Sequence, residues 1–542
     1  MRFHVVGVGG GTGALLSYHI KRATRLLADS QSLGGIGTNN VGLNGEILGN
    51  LPNPSVLNHL PGPHESGVTL RIQKNNFMKK AVDNHHNGVT IERDGVARTE
   101  RGFNIQLTGA FDALGGAFKA SSSQIQDPNQ AGTSICESLG YPTGSLDALV
   151  IATKPQYTVS VLEPLAKSLT PASTLVLLQN GQGVLDEILP RYFPDSKNRP
   201  NIIMATSTHR LWTKSRLHAV HAHLGRMDIA VLPGSNVGVN YEKIWTPSNF
   251  TEDEEIRRRQ QHSYGNEEPT DKGGFGRFAR KNSQQLVSLD RSYATAAPDQ
   301  LLSMYANRSH SPLVPTLNMD AIPSNDRTRT LTETLSVLQS LPLEVTWQPV
   351  RRFQLKAIQN LVVSACIDPI TALVGCRNGH LFGNRFAEQA MRDVCKESSE
   401  VLRLLAERTR ENAQKVLKNQ SSDSQELQST TNQDFLFGSD ELIGNFNLPD
   451  HPTLDPSLQP GALFDTVQRA VRMTSPQFSM MYHDLNTSNV RNNSEINYIN
   501  GYIGRLGRSL GIATPVNDML VSMIRLKQSK DNSPWKTQSE RE

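Results

Sequence analysis

Four polar residues, spaced four apart, lie in a mostly apolar segment at 351–368: Lys356, Asn360, Ser364 and Asp368. The apolar run predicts a buried helix, on which this spacing puts all four side chains on one face. Pro369 predicts that the helix ends near Asp368, because the residue before a proline avoids the α conformation. Burying such polar groups is costly unless something binds them. This polar stripe is therefore either a helix edge in water or the wall of a cleft that holds a polar substrate.

A glycine-rich turn follows the first apolar segment of the chain. Residues 3–8 predict a strand and residues 14–27 predict a helix, and the turn between them holds Gly7, Gly9, Gly10, Gly11 and Gly13. Strand, glycine turn and helix form the first unit of a dinucleotide-binding fold, in which the backbone approaches a pyrophosphate at the helix N-terminus. The spacing departs from GxGxxG by one residue, so an ordinary tight turn remains the alternative.

A basic residue follows the second predicted strand, residues 68–72. Lys74 stands where the ribose of a bound dinucleotide would lie. A cation at that place favours the 2′-phosphate of NADPH over the free hydroxyl of NADH. A solvated surface lysine is the alternative.

Two continuous apolar segments, 146–153 and 174–178, predict parallel strands that are buried on both faces. Lys154 follows the first and Asn180 follows the second, so both should lie beside the ligand crevice at the carboxyl ends of the sheet. Further strands are predicted at 202–205 and 227–232. His221 and His223 alternate on another predicted strand, but two histidines without a third ligand nearby do not predict a metal site.

The composition limits the classes of partner and compartment. A net charge of +4 on 542 residues is too small to predict nucleic-acid or membrane binding, and no apolar run approaches transmembrane length. Four cysteines without paired short spacing favour a reducing compartment. A strand beginning at Arg2 leaves no room for a targeting segment. We therefore expect a cytoplasmic protein, with a mitochondrial location as the alternative.

Three polar stretches divide the chain, at 28–66, 236–345 and 409–460. Each has little apolar surface to bury, which predicts loops or partly disordered insertions. We predict an α/β protein with an N-terminal Rossmann-type parallel-sheet domain over 1–235. An all-α domain over 346–530 would bind substrate or mediate dimerisation, and the sequence leaves a homodimer open.

Five segments resemble the ketopantoate reductase (2-dehydropantoate 2-reductase) family, particularly its fungal branch. They are the glycine turn, IATKPQ at 151–156, LLQNGQG at 177–183, DPITALVGCRNGHLF at 368–382 and SEINYINGYI at 494–503. The resemblance implies reduction of ketopantoate to pantoate with NADPH, a step toward pantothenate. It also implies that Lys154 and Asn180 contact cofactor and substrate, that Ser479 binds the substrate carboxylate, and that Glu495 orients the substrate and the catalytic lysine.

The polar stripe departs from the family pattern, which has Lys, Asn and Asn with the last residue before the proline. Asn360, Ser364 and Asp368 occupy those positions here. The family lysine donates a proton to the developing alkoxide, and Lys356 lies one helical turn, about 5.4 Å, upstream of that position.

Two hypotheses follow from this departure. The first is an NADPH-dependent reductase of ketopantoate or a related 2-oxoacid, in which Lys356, or a water held by Asn360, protonates the substrate oxygen. Glu495 would assist catalysis, and the substrate would be bound by Asn180, Ser364, Asp368 and Ser479. The second is a non-catalytic relative that keeps the nucleotide-binding fold and serves as a binding or regulatory protein.

The predicted cofactor preference can be tested at Lys74. NADPH should bind more tightly than NADH, and Lys74→Ala should reduce that preference because it removes a cation from the 2′-phosphate. Fluorescence titration with both cofactors measures the ratio. Equal affinities in the wild type, or an unchanged preference in the variant, would contradict the assignment.

Overall fold

The computed structural model describes residues 1–32, 59–61, 67–73, 88–108, 124–125, 135–179, 181–232, 319, 322–419, 454–486 and 494–530. Its strands are β1 (Arg2–Val6), β2 (Gly67–Gln73), β3 (Val89–Arg93), β4 (Val96–Glu100), β5 (Asn104–Thr108), β6 (Gln124–Ile125), β7 (Ala148–Ile151), β8 (Thr174–Leu178), β9 (Asn201–Ser207), β10 (Arg210–Ser215), β11 (His218–His223), β12 (Met227–Val231) and β13 (Val345–Trp347).

The helices divide between an N-terminal part that ends with β13 and a C-terminal part that begins at Val350, and these two parts are called the first half and the second half below. Those of the first half are α1 (Gly11–Ser32), α2 (Ile135–Ser138), α3 (Thr158–Leu162), α4 (Val184–Tyr192) and α5 (Arg329–Ser340). Those of the second half are α6 (Val350–Val374), α7 (Arg385–Asn419), α8 (Pro460–Met473), α9 (Met480–Asn486), α10 (Asn500–Leu510) and α11 (Pro515–Lys530). The predicted Rossmann-type domain followed by an all-α domain is confirmed.

A nine-stranded sheet runs through the first half, in the order β13-β12-β9-β8-β7-β1-β2-β5-β6. Strands β9, β8, β7, β1, β2 and β5 pair in parallel, in that order. Every residue of β7 and β8 is buried, as the continuous apolar runs predicted. The chain leaves β1 toward β2 on one side and returns to β7 on the other, so a ligand crevice is expected at the carboxyl ends of β1 and β7.

The prediction of an insertion at 236–345 was wrong at the C-terminal end of that stretch, where the structure has helix α5 and strand β13. Helix α5 buries Leu331, Leu335 and Leu338 in the core of the first domain, and β13 pairs in parallel with β12. This helix looked polar because it also buries threonines. The Thr334 hydroxyl, for example, donates to the carbonyl oxygen of Thr330 at 2.6 Å, so its polar atom is satisfied without water.

The other two predicted insertions overlap helices. Helix α1 continues to Ser32, inside the stretch 28–66, and α7 continues to Asn419, inside 409–460. The turn Pro456–Leu458 and the start of α8 occupy the end of the latter stretch. Residues 33–58, 62–66, 233–318, 320–321 and 420–453 lie outside the described residues.

The helix that carries the polar stripe does not end at Asp368, contrary to the sequence prediction. Helix α6 continues through Pro369 to Val374 and terminates at Gly375, which has φ 77°. A proline inside a helix removes the hydrogen bond to the carbonyl four residues earlier, here that of Ala365. The fully buried Asn500 supplies the replacement, because its Nδ2 donates to the Ala365 oxygen at 3.0 Å.

Helix α6 is the central helix of the second half. It contacts α7, α8, α9 and α11. Within the described residues, its segment Arg352–Val374 has the length and hydropathy of a membrane span, contrary to the sequence expectation that no run approaches that length. In that segment 61% of the apolar window is buried inside the protein, and Leu361, Val362 and Ala365 belong to the helical core.

The Asn500 contact predicts a measurable stabilisation. Asn500→Ala should lower the free energy of unfolding by about 1–3 kcal/mol, because the Ala365 carbonyl loses its replacement donor. Pro369→Ala restores a backbone N–H, so the same substitution should cost less in that background. Urea unfolding of the four proteins in this cycle measures the coupling. Equal costs in both backgrounds would show that Asn500 does not compensate the proline.

Candidate active site

Glycine residues let the carboxyl end of β1 pack closely against the carboxyl end of β7 and against helix α1. Gly7 directly follows β1 with φ 95°, and a Cβ atom there would lie 2.6 Å from the carbonyl group of Ala152. A Cβ at Gly13 would collide with the backbone of Gly7. The glycine that comes one residue late in the motif therefore serves the close packing of helix on strand.

The turn between β1 and α1 presents a helix N-terminus to the crevice. The backbone N–H of Gly10 donates to the carbonyl oxygen of Gly7 at 3.0 Å, and α1 begins at Gly11. Gly9 lies in the same turn. The first N–H groups of a helix lack intrahelical acceptors, and they suit an anionic group such as a pyrophosphate.

Lys154 lies just beyond β7 and contacts the second half of the chain. Its Nζ forms an ion pair with Oδ1 of Asp484, which lies on α9. The two side chains are only 31% and 17% exposed, so water screens this pair less than a surface pair.

A turn of the second half docks beside the loop that follows β8. The backbone N–H of Gln182 donates to the carbonyl oxygen of Tyr498 at 2.9 Å, and the Tyr498 hydroxyl donates to Glu187 Oε2 at 2.9 Å. Gly181 permits this approach, because a Cβ there would lie 3.0 Å from the Tyr498 oxygen. The docked turn, Glu495–Tyr498, also contacts the turn Pro155–Tyr157 directly after Lys154.

These contacts assemble what we call the cleft cluster: Lys154, Asp368, Asp484 and Glu495. Burial raises the pKa of Glu495 to about 7; Lys154 opposes this rise, while Asp484 and Asp368 add to it. Burial also raises the pKa of Asp368 to about 7, opposed by a hydrogen bond from Ser364 and reinforced by Asp484. One lysine thus lies among three carboxyl groups, two of which have a pKa near 7.

Lys356 belongs to a different group of charges. Its Nζ lies 3.5 Å from Oδ2 of Asp228 on β12, and Arg226 Nε lies 3.4 Å from the same oxygen. The side-chain amide of Gln348 donates to the other oxygen of Asp228. Burial lowers the pKa of Lys356, and Asp228 opposes that effect.

The sheet order separates Lys356 from the cleft cluster. Strand β12 lies three places from β7, which is about 14 Å at the usual strand spacing. The sequence hypothesis required the Lys356 ammonium to reach toward Glu495, and the structure holds it at Asp228 instead.

The remaining predicted residues have varied environments. Asn360 is exposed, and Ser364 is half-buried beside Asp368. The Ser479 hydroxyl accepts hydrogen bonds from the backbone N–H of Tyr482 at 3.1 Å and from the Thr371 hydroxyl at 2.9 Å. Ser479 therefore caps α9 and so positions the helix that carries Asp484. Lys74 and Asn180 lie outside the described residues.

Asp484 was missed by the sequence reasoning. It follows Ser479 by five residues in SMMYHDL, on the helix that this serine caps. The sequence contained a signal for Asp484, because it is a carboxylate close to Ser479, which was itself expected at the site.

A metal centre is not formed in the part of the chain that the structure describes. His221 is buried, whereas His223 is exposed, so the two do not share a site. His221 Nε2 instead lies 3.1 Å from His209 Nδ1, in a hydrogen bond between the rings.

The raised pKa of Glu495 predicts how stability changes with pH. The folded state retains a proton that the unfolded chain releases above its ordinary value of 4.5, so the free energy of unfolding should fall between about pH 4.5 and 7 and then level off. For Glu495→Gln, the fall between pH 5 and 7.5 should be smaller by roughly 1–3 kcal/mol. Urea titrations at both pH values test this.

Glu400→Gln, at an exposed position on α7, is the matched control and should leave the fall unchanged. An undiminished fall in Glu495→Gln would show that this carboxyl does not hold a proton in the folded state.

Comparison with known proteins identifies the family to which this chain belongs. Residues 106–234 match the model described as ketopantoate reductase PanE/ApbA, and residues 352–528 match that of its C-terminal domain. The chain is 35% identical to the 2-dehydropantoate 2-reductase of Saccharomyces cerevisiae over 88 residues, which are 16% of this chain and 23% of the yeast protein. It is 25% identical to that of Escherichia coli over 194 residues, which are 36% of this chain and 45% of the bacterial protein. The matches thus span less than half the length of either relative.

Solved structures of low sequence identity are also similar to this chain. A D-mandelate dehydrogenase solved with NADH and anilino(oxo)acetate gives a TM-score of 0.48 at 11% identity, covering 98% of this chain and 100% of that one. A putative 2-dehydropantoate 2-reductase from Enterococcus faecalis gives 0.44 at 11% identity with the same coverage. The two family models follow each other in order along the sheet domain and the helical domain, and the chain belongs to the ketopantoate reductase family of oxidoreductases.

Proposed function

We propose that this protein reduces a 2-oxoacid to the 2-hydroxyacid with NADPH, ketopantoate being the first candidate substrate. The observation that carries the proposal is the cleft cluster, because it puts one lysine and two carboxyl groups with a pKa of about 7 where β7 ends, beside the glycine turn. Ligands of open α/β sheets bind at this edge.

The residues of the turn fit a nicotinamide dinucleotide. Gly7 and Gly13 let β1, β7 and α1 approach closely, and the N-terminus of α1 offers backbone N–H groups to a pyrophosphate. When bound, NADPH would supply the hydride that reduces the keto carbon. The preference for NADPH over NADH depends on Lys74 and remains a sequence prediction.

The chain itself must supply a proton to the former keto oxygen. Lys154 is the lysine of the cleft cluster, and its ammonium can donate a hydrogen bond and then a proton to the developing alkoxide. Glu495 and Asp368, each with a pKa of about 7, can return a proton to Lys154. Overall, NADPH, one proton and the oxoacid give NADP⁺ and the hydroxyacid.

The carboxyl groups also affect how an anionic substrate binds. At low pH, protonated Asp368 and Glu495 leave the charge of Lys154 opposed mainly by Asp484. Above pH 7 two more negative charges appear in the cleft and repel the substrate carboxylate. We therefore expect KM for the oxoacid to increase as the pH rises through 7.

A second function, that of a non-catalytic binding or regulatory protein, is favoured by the polar stripe. Asn360 stands in the family's lysine position, and the nearest lysine on the stripe is engaged by Asp228. A protein of this kind would bind the dinucleotide without turning it over. A homodimer and a cytoplasmic location remain sequence predictions.

Paired lysine substitutions distinguish the two candidate acids. Lys154→Ala should lower kcat at saturating substrate by about 100-fold or more, the usual scale for losing a positioned acid. Lys356→Ala should change kcat only several-fold, since its ammonium lies at β12, three strands from the cleft cluster. NADPH oxidation with ketopantoate and a panel of other 2-oxoacids gives both values, and thermal unfolding checks that each variant folds.

If Lys356→Ala instead causes the large loss, the lysine of the polar stripe is the acid, as the sequence hypothesis held. If the wild type binds NADPH but turns over none of the oxoacids, the non-catalytic function is correct.

A further inference from the structure

Two acids of the cleft cluster have no cation of their own. Its one lysine, Lys154, is paired with Asp484. Within the described residues neither Asp368 nor Glu495 forms an ion pair, and the Glu495 carboxyl group forms no hydrogen bond either. A half-buried carboxyl group without a partner ionises readily only when a positive charge comes close to it. These two acids therefore suit a ligand that brings a positive charge into the cleft.

The two acids come from different elements that meet at the cleft. Asp368 lies on α6, and the Ser479 hydroxyl at the start of α9 donates to its backbone oxygen at 3.4 Å. Glu495 lies on the turn that docks beside the loop after β8. The two carboxyl groups interact, since Asp368 adds to the rise in the pKa of Glu495. They therefore face the same cleft.

The arginines packed on this turn do not neutralise Glu495. Arg505 Nη1 donates to the backbone oxygen of Asn497 at 2.8 Å, and Arg525 Nη2 donates to its side-chain oxygen at 2.7 Å. The charged groups that affect the pKa of Glu495 are Lys154, which lowers it, and Asp484 and Asp368, which raise it. With all four groups ionised, the cleft cluster holds more negative than positive charge.

Helix α6 supplies this excess where the family pattern implies a lysine and an amide. Asn360 stands at the implied lysine position and Asp368 at that of the implied asparagine, while Lys356 is held at Asp228. A cation suits the reduction of a ketone, because negative charge develops on the oxygen. An acid suits a substrate that is positively charged at the start and loses that charge on reduction.

We propose that this site also reduces a protonated cyclic imine to the amine, with the positive C=N group held between Asp368 and Glu495. The imine carbon gains a hydride and the C=N electron pair moves to the nitrogen. Overall, the iminium ion and NADPH give the amine and NADP⁺, and no proton is consumed. A ring is required because open-chain imines hydrolyse in water. This activity uses the same site as oxoacid reduction but does not depend on it.

The two acids would select such a substrate through its charge. Ionised carboxylates raise the pKa of a bound imine and keep its nitrogen protonated, while the bound cation favours the ionised form of both acids. Cation binding should therefore strengthen as the pH rises through 7, which is the opposite of the trend expected for the oxoacid.

The binding test uses dimethylpyrrolidinium, a ring cation whose charge does not change with pH and which cannot be reduced. Calorimetric titration of the full-length protein should give an affinity about 10-fold higher at pH 8 than at pH 6, because both acids ionise between these values. Glu495→Gln and Asp368→Asn should each reduce that ratio to about 3-fold or less. Glu400→Gln, at an exposed position on α7, is the control and should keep the full ratio.

Equal affinity at both pH values in the wild type would overturn the proposal. A ratio that neither Glu495→Gln nor Asp368→Asn reduces would place the cation elsewhere and overturn it too.

The activity test uses N-methylpyrrolinium, an iminium ion of fixed charge, in parallel with ketopantoate. We expect NADPH-dependent formation of N-methylpyrrolidine, detected by mass spectrometry. Binding of dimethylpyrrolidinium without any reduction of N-methylpyrrolinium would overturn the proposal. Reduction of ketopantoate alone would overturn it as well and leave the oxoacid reductase in place. Reduction of N-methylpyrrolinium alone would support it and contradict the oxoacid function.

Discussion

The ion pair between Lys154 and Asp484 connects the two halves of this protein at the edge of the sheet. A half-buried charge requires a partner, so an acid from the helical domain must face the lysine that ends β7. The docking of the turn Glu495–Tyr498 against the loop after β8 satisfies this requirement and adds Glu495 to the same cleft. The site therefore exists only when both domains are in place.

Burial determines the protonation of the acids in the cleft, and the neighbouring acids reinforce its effect. Burial raises the pKa values of Asp368 and Glu495 to about 7, and the carboxyl group of Asp484 adds to both rises. Asp368 adds one of these acids, at the position where the resemblance to the family implies an asparagine. The same change that makes the polar stripe look degenerate thus provides a second titrating group beside Glu495.

Much of the fold could be predicted from the sequence, because continuous apolar runs of strand length allow few alternatives. Strand β8 has the predicted bounds, and the glycine turn lies where predicted. The passage of α6 through Pro369 could not be predicted, since it depends on Asn500, which is 131 residues away. Helix α5 was missed because its threonines made the segment look polar, although the structure buries them; the Thr334 hydroxyl, for example, donates to the carbonyl oxygen of Thr330.

The site was predicted less well than the fold, since helical spacing gives the face of a side chain but not its partner. Lys356 is on the expected face and is held by Asp228, a residue of the other domain. The central claim, that the cleft is a reductase site, is tested most directly by incubating the protein with ketopantoate and NADPH that carries deuterium on the nicotinamide ring, in each stereochemical form. Mass spectrometry should find deuterium at the former keto carbon with one form only. Tight binding of NADPH without any deuterated hydroxyacid would contradict the claim.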